Sequence, residues 1–255
     1  MAYTINGAQY PSVSTILGQL DKSGALMGWA LNCFEAKLNE LLEDGVPIDE
    51  AIITAKRDYR NVSQEALDIG SAVHDAIELY IKTGKDLSGE MKPEVANGFL
   101  AFLEWESENV ERWIESEVRT VNEHIGYAGT YDAIFENKAG EVVMVDFKTS
   151  KAIYDEYYMQ VAAYKGARES LSGQYQIIFE RGQGSIDNYD LPPIKIDKCA
   201  ILRLDKVTGL PEFKERTPQK TDHDYFAFCA LTNFYYQQKK RRLKDNPIVK
   251  SVWGK

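Results

Sequence analysis

Cysteine is scarce in this chain. Only Cys33, Cys199 and Cys229 occur in 255 residues, far apart and odd in number. They support neither a disulfide framework nor a CxxC metal knuckle and read as buried thiols. No run approaches the ~18 apolar residues of a membrane helix. The front, MAYTINGAQYPSVSTIL, has no basic start followed by an apolar core, which reads as the absence of a signal peptide and an intracellular protein. Internal repeats and low-complexity linkers are also missing. Positive charge is in deficit, with 30 Lys and Arg against 39 Asp and Glu and a net charge of −9. Such a balance argues against a non-specific coat on nucleic acid and leaves room for a local basic groove.

What remains is an ordinary globular composition, 44% hydrophobic and 27% charged, enough for one domain spanning 1–255. Helical spacing of apolar residues covers Ser12 to Leu20, Leu26 to Leu42, Ile48 to Tyr59, Gln64 to Lys82 and Pro93 to Glu115, so residues 1–116 are expected as a helical region packing on the core. The period then changes to two. Strands are expected at Glu117 to Asn122, Tyr127 to Glu136, Val142 to Thr149, Gln174 to Glu180 and Lys198 to Leu204, with a helix from Glu156 to Leu171. This makes 117–206 a sheet core, followed by a long helix over 221–245. RGQGSIDNYDLPPIK, with Gly182, Gly184, Pro192 and Pro193, reads as loop. The fold class is α/β (α+β), a small mixed sheet flanked by helices.

Two of those strands form a hairpin with an acid on the face where a core residue belongs. A loop Lys138-Ala139-Gly140, with Gly140 left-handed, pairs Asn137 with Glu141 and sets Asp132 opposite Asp146. Two carboxylates ~5 Å apart destabilise a sheet unless something positive offsets them. Lys148 shares the face of Asp146, whereas Val143, Val145 and Phe147 share the other. Both faces begin apolar, as in a central strand, and one turns charged at its end. Two carboxylates with room for waters and a phosphate are the means of holding Mg²⁺, and a lysine beside them can stabilise charge on an attacked phosphodiester.

In order along the chain, GTYDAIFE, VVMVDFKTS and YMQVAAYKGA resemble the G-x-x-D, D-x-K and Q-x-x-x-Y series of the PD-(D/E)XK nucleases, specifically the RecB-like branch. GSAVH at 70–74 matches that branch's helix histidine, and YPSVSTIL with GYAGTYD is similar to the mitochondrial genome maintenance exonuclease group and its phage and bacterial relatives. The resemblance covers roughly Tyr10 to Ala167. It implies a restriction-endonuclease-like core. It implies Asp132, Asp146 and the Phe147 carbonyl as ligands of Mg²⁺ or Mn²⁺, with His74 as a further ligand and Lys148 as the catalytic lysine. Glu117, in SEVRTVNE, matches an acid of the first core strand. Gln160 and Tyr164 share one helix face, which in the family leans over the site. Lys151, Tyr157, Lys165 and Arg168 gather near these motifs as candidate substrate contacts. His124 and His223 are expected on the surface. The cysteines lack the spacing for an iron–sulfur cluster.

The implied activity is a metal-dependent DNA exonuclease leaving 5′-phosphates, acting in recombination, repair or replication in the cytoplasm of a bacterium or a phage-infected host. Its partners would be DNA with a free end and a recombination or replication protein, and no membrane. A structure-selective endonuclease of the same fold and a non-catalytic DNA-binding subunit are the alternatives.

Overall fold

The computed structural model describes residues 2–5, 8–86, 88–179 and 185–240. Two compact units emerge, Leu20–Val73 and the remainder. The first is a helical hairpin of α2 (Ser23–Glu43) and the front of α3 (Ile48–Thr83). Ala51 and Ala55 are buried in it, while Leu26, Met27, Leu31 and Ile53 are exposed. The two helices expected at Ile48 to Tyr59 and Gln64 to Lys82 are one, because nothing between them breaks a helix.

The second unit holds a five-stranded sheet in the order β3-β4-β5-β8-β9. Its strands are β3 (Val110–Asn122), β4 (Tyr127–Asn137), β5 (Val142–Lys148), β8 (Lys198–Leu204) and β9 (Pro211–Arg216). β5 and β8 are parallel and the other neighbours antiparallel, so the sheet is mixed. β5 lies at its centre, buried from Val143 to Phe147.

Helices cover both faces. On one side, α4 (Pro93–Asn109), started by Pro93, lays Phe102 against Phe147 at 5.7 Å between ring centroids. Its Trp105 packs on Phe135 at 5.3 Å and on Phe213 at 5.0 Å. Each such ring contributes about 1.5–3 kcal/mol by leaving water. On the other side lies α5 (Asp155–Glu169), where the Tyr127 hydroxyl donates to the Ala163 carbonyl at 2.8 Å. α6 (Pro218–Lys240) packs on α5. Residues 241–245 of the expected final helix lie outside the described residues.

A second, antiparallel sheet was not expected. It runs β2-β1-β6-β7, from β1 (Ala2–Ile5), β2 (Ala8–Pro11), β6 (Gly173–Phe179) and β7 (Ser185–Leu191). The front of the chain therefore opens as a hairpin before the short helix α1 (Val13–Leu17). Much of the supposed loop after 181 is strand, with Gly182 and Gly184 outside the described residues. Tyr3, Ile5, Tyr10 and Ile177 pack on Val121, Ala128 and Tyr236, which ties this sheet to the ends of β3 and β4. The helix expected to reach Glu115 stops at Asn109, because Val110 starts the long edge strand.

Among the described residues no helix is long and apolar enough to cross a membrane. Cys199 is buried, whereas Cys33 and Cys229 are half-buried. His124 and His223 are exposed.

Candidate metal centre and cleft

The hairpin has the expected register. Asn137 N donates to Glu141 O at 2.9 Å, Gly140 takes φ 79°, and the ladder runs from Glu136 opposite Val142 to Ala133 opposite Val145. One step further sets Asp132 against Asp146. Each acid is met by a cationic group. Asp132 Oδ2 accepts from Phe147 N at 2.6 Å and Oδ1 lies 3.6 Å from His74 Nδ1. Lys148 Nζ lies 2.5 Å from Asp146 Oδ2. Asp146 is 1% exposed, and Lys148 is the one side chain paired with it among the described residues.

Glu117 completes the group. The pairs Ser116 with Ala133 and Val118 with Tyr131 bracket it opposite Asp132. Its φ of 53° is the single positive value at a non-glycine among the described residues. A left-handed residue inside a strand costs about 1–3 kcal/mol and persists where its surroundings impose it. Ligand atoms of His74, Glu117 and Asp132 all lie within 4.8 Å of one another.

The electrostatics follow from burial and crowding. Burial and the Asp132 charge push the Glu117 carboxyl up to about 8. Burial, opposed by Lys148 and reinforced by Asp132, pushes Asp146 up to about 6. Burial alone would lower His74, but the Asp132 carboxylate outweighs it and holds the imidazole at about 9. Burial likewise acts against the Lys148 ammonium, and Asp146 and Asp132 prevail, leaving its pKa above the ordinary value. Asp132 ends below its ordinary value, His74 overcoming the cost of burial.

These residues fit a divalent cation. Carboxylate oxygens suit Mg²⁺ and Mn²⁺, and an imidazole favours the second. Buried Asp146 has Lys148 against Oδ2 alone, which leaves Oδ1 without a partner among the described residues. His74 Nε2 donates to the Phe147 carbonyl at 3.1 Å, and Nδ1 faces Asp132; with the imidazole held as a cation, a metal at Nδ1 would displace its proton.

The centre opens on a cleft of about 890 Å³ that Glu117, Gln160 and Tyr164 line. Gln160 Nε2 donates to the Tyr164 hydroxyl at 3.1 Å. Gly129 explains how Tyr164 comes so close, since a Cβ there would stand 2.4 Å from its ring. Sequence reasoning missed most of the opposite wall. Tyr3, Asn188 and Tyr189 come from the second sheet, and Arg119, Lys82 and Thr130 join them. Alternation along β3 puts Arg119 on the face of Glu117, the one signal that was available.

Two expected substrate contacts are corrected. Arg168 is fully buried. It holds Glu115 in a fork, Nε to Oε2 at 2.8 Å and Nη2 to Oε1 at 2.6 Å, and also reaches the Leu171 and Pro192 carbonyls. Lys165 pairs with Glu169 at 2.6 Å and lines a depression with Glu141 and Lys198, at the starts of β5 and β8. The site lies at the other end of β5. Lys151 is exposed just beyond that end. Tyr157 does reach the site, its ring centroid 4.9 Å from Lys148 Nζ.

Removing the charge of Glu117 should stabilise the metal-free protein. Its folded pKa of about 8 stands above the ordinary 4.5, so its contribution is fully present below pH 4.5 and is lost as the pH rises through 8. Glu117→Gln is therefore expected to gain on the order of 1–3 kcal/mol at pH 8.5, about 2–4 °C of Tm per kcal/mol. Little gain is expected at pH 4.5. Thermal unfolding in EDTA at both pH values checks this, and equal shifts would refute it.

No family model matches the chain, and no curated protein matches it either.

Proposed function

We propose that this chain is a divalent-cation-dependent deoxyribonuclease, and specifically an exonuclease that leaves 5′-phosphates. One observation carries the reading: a His74–Glu117–Asp132 cluster within 4.8 Å beside the Asp146–Lys148 pair. The ordered resemblance to the RecB-like branch of the PD-(D/E)XK nucleases supports it, and the preference for free ends rests on that resemblance alone.

His74, Glu117, Asp132 and Asp146 would hold Mg²⁺ or Mn²⁺. The cation supplies Lewis-acid polarisation of the phosphodiester and a lowered pKa for the attacking water. Lys148, kept as an ammonium, donates from Nζ to the phosphoryl oxygen on which negative charge grows. The water would give up a proton to solvent as its oxygen bonds to phosphorus. The bond to the 3′ oxygen would break, and that oxygen would take up a proton from solvent and leave as a hydroxyl. Arg119 lines the cleft, as does Lys82, which pairs with Glu78, and half-buried Tyr189 would offer a face to a base.

The test is digestion of end-labelled linear single- and double-stranded DNA beside a closed circle, in Mg²⁺, Mn²⁺ or EDTA. Metal-dependent shortening of linear DNA with the circle intact is expected. Cutting of the circle would replace the exonuclease by an endonuclease. Absence of any metal-dependent loss would overturn the enzyme reading in favour of a DNA-binding subunit.

A further inference from the structure

Tyr157 was expected to be a surface for substrate, yet its surroundings point elsewhere. Its ring lies over Lys148 Nζ at 4.9 Å. It stands in the first helical turn of α5, its N bonded to the Tyr154 carbonyl at 3.1 Å. The Tyr154 ring braces it edge-on at 5.5 Å. The Lys148 side chain is 18% exposed, closed between this ring and Asp146.

We infer that Tyr157 is a positioning residue that acts through Lys148, and not a platform for bases. The inference rests on reading the site as a phosphodiesterase centre. Lysine is a long flexible stem carrying a point charge. Asp146 holds one side of the ammonium at 2.5 Å and by itself leaves the direction of the other N–H groups unfixed. An aromatic face attracts a cation through its quadrupole and accepts no proton from it. Such a contact fixes Nζ between the ring and Asp146 and leaves the N–H groups that Asp146 does not take for the phosphoryl oxygen. The ring face does this work, so the phenolic hydroxyl is dispensable.

The variants are Tyr157→Phe and Tyr157→Leu. Phenylalanine is expected to retain wild-type kcat, while leucine lowers kcat roughly tenfold, as the loss of a desolvated cation–π contact implies, with KM unchanged. A rise in KM at constant kcat in the leucine variant would make Tyr157 a substrate contact. Equal losses in both variants would assign the role to the hydroxyl. Either result overturns the inference.

A second readout is independent of hydrolysis. In DNA-free protein carrying ¹³C-labelled lysine, the ε-methylene signal that disappears in Lys148→Met is expected at high field, shielded by the ring. It should stay there in Tyr157→Phe and move to the ordinary lysine position in Tyr157→Leu. An unshielded signal in the wild type, or a shielded one that Leu leaves in place, refutes the contact. Failure of wild type to cut DNA, with the shielded signal intact, would instead remove the phosphodiesterase reading.

Discussion

On the proposed reading, Lys148→Met is expected to slow metal-dependent DNA hydrolysis by about 10²–10³-fold, the usual loss when one charged donor to a developing oxyanion is removed. Methionine keeps much of the stem and deletes the charge. Of the four proposed ligands only Asp146 pairs with Nζ. Cation binding is therefore expected to persist above the raised Asp146 pKa and to weaken below it, and titration calorimetry with Mn²⁺ on both sides of that pKa checks it. The variant also shifts the pH profile. Burial raises Asp146 to about 6 while Lys148 opposes that rise; without the ammonium, Asp146 climbs further and the acidic limb of the rate profile moves to higher pH. Initial rates at saturating metal from pH 5 to 9 measure both effects. Wild-type kcat with raised KM would make Lys148 a substrate anchor only.

Arg168→Met should cost about 3–5 kcal/mol of stability, because it strands a charge inside the protein. Glu115 is 9% exposed and receives both arms of the guanidinium; the Tyr131 hydroxyl also donates to it. The same guanidinium holds the turn after α5 and the chain after β7. A fall of roughly 10 °C or more in Tm follows for a chain of this size. Arg168→Met/Glu115→Met should recover most of it, since no buried charge remains unpaired. Additive losses would show that the fork acts through geometry and not charge. Urea unfolding of all variants in EDTA separates the two.

The hairpin was the most legible part of the molecule. A single glycine fixes the turn, the turn fixes the register, and the register sets Asp132 against Asp146. His74, four residues after Gly70, was also readable, because helix spacing carries it to the edge of an apolar face that holds buried Val73 and Ile77. The misses have equally physical causes. β1 and β2 are four residues each, too short for a period to emerge. β9, PEFKER, is an edge strand with few apolar positions. β7 emerges from a segment whose Gly and Pro signals point to a loop. Arg168 carried no mark of burial, since its partner lies on a distant strand and its neighbours in sequence look like a helix surface.

β1 pairs with β6, Tyr3 opposite Phe179, and this has a consequence for the order of synthesis. Translation at ~5–20 residues per second leaves β1 without its neighbour for on the order of ten to thirty seconds. Through that interval Tyr3, Ile5 and Tyr10 are an open apolar edge on a nascent hairpin, a surface that invites chaperones or misassociation. Tyr3, Ser12 and Ser14 belong to the wall of the cleft. That wall closes only after the hairpin of Asp132 and Asp146 has left the ribosome, so the acids are assembled before the groove beside them.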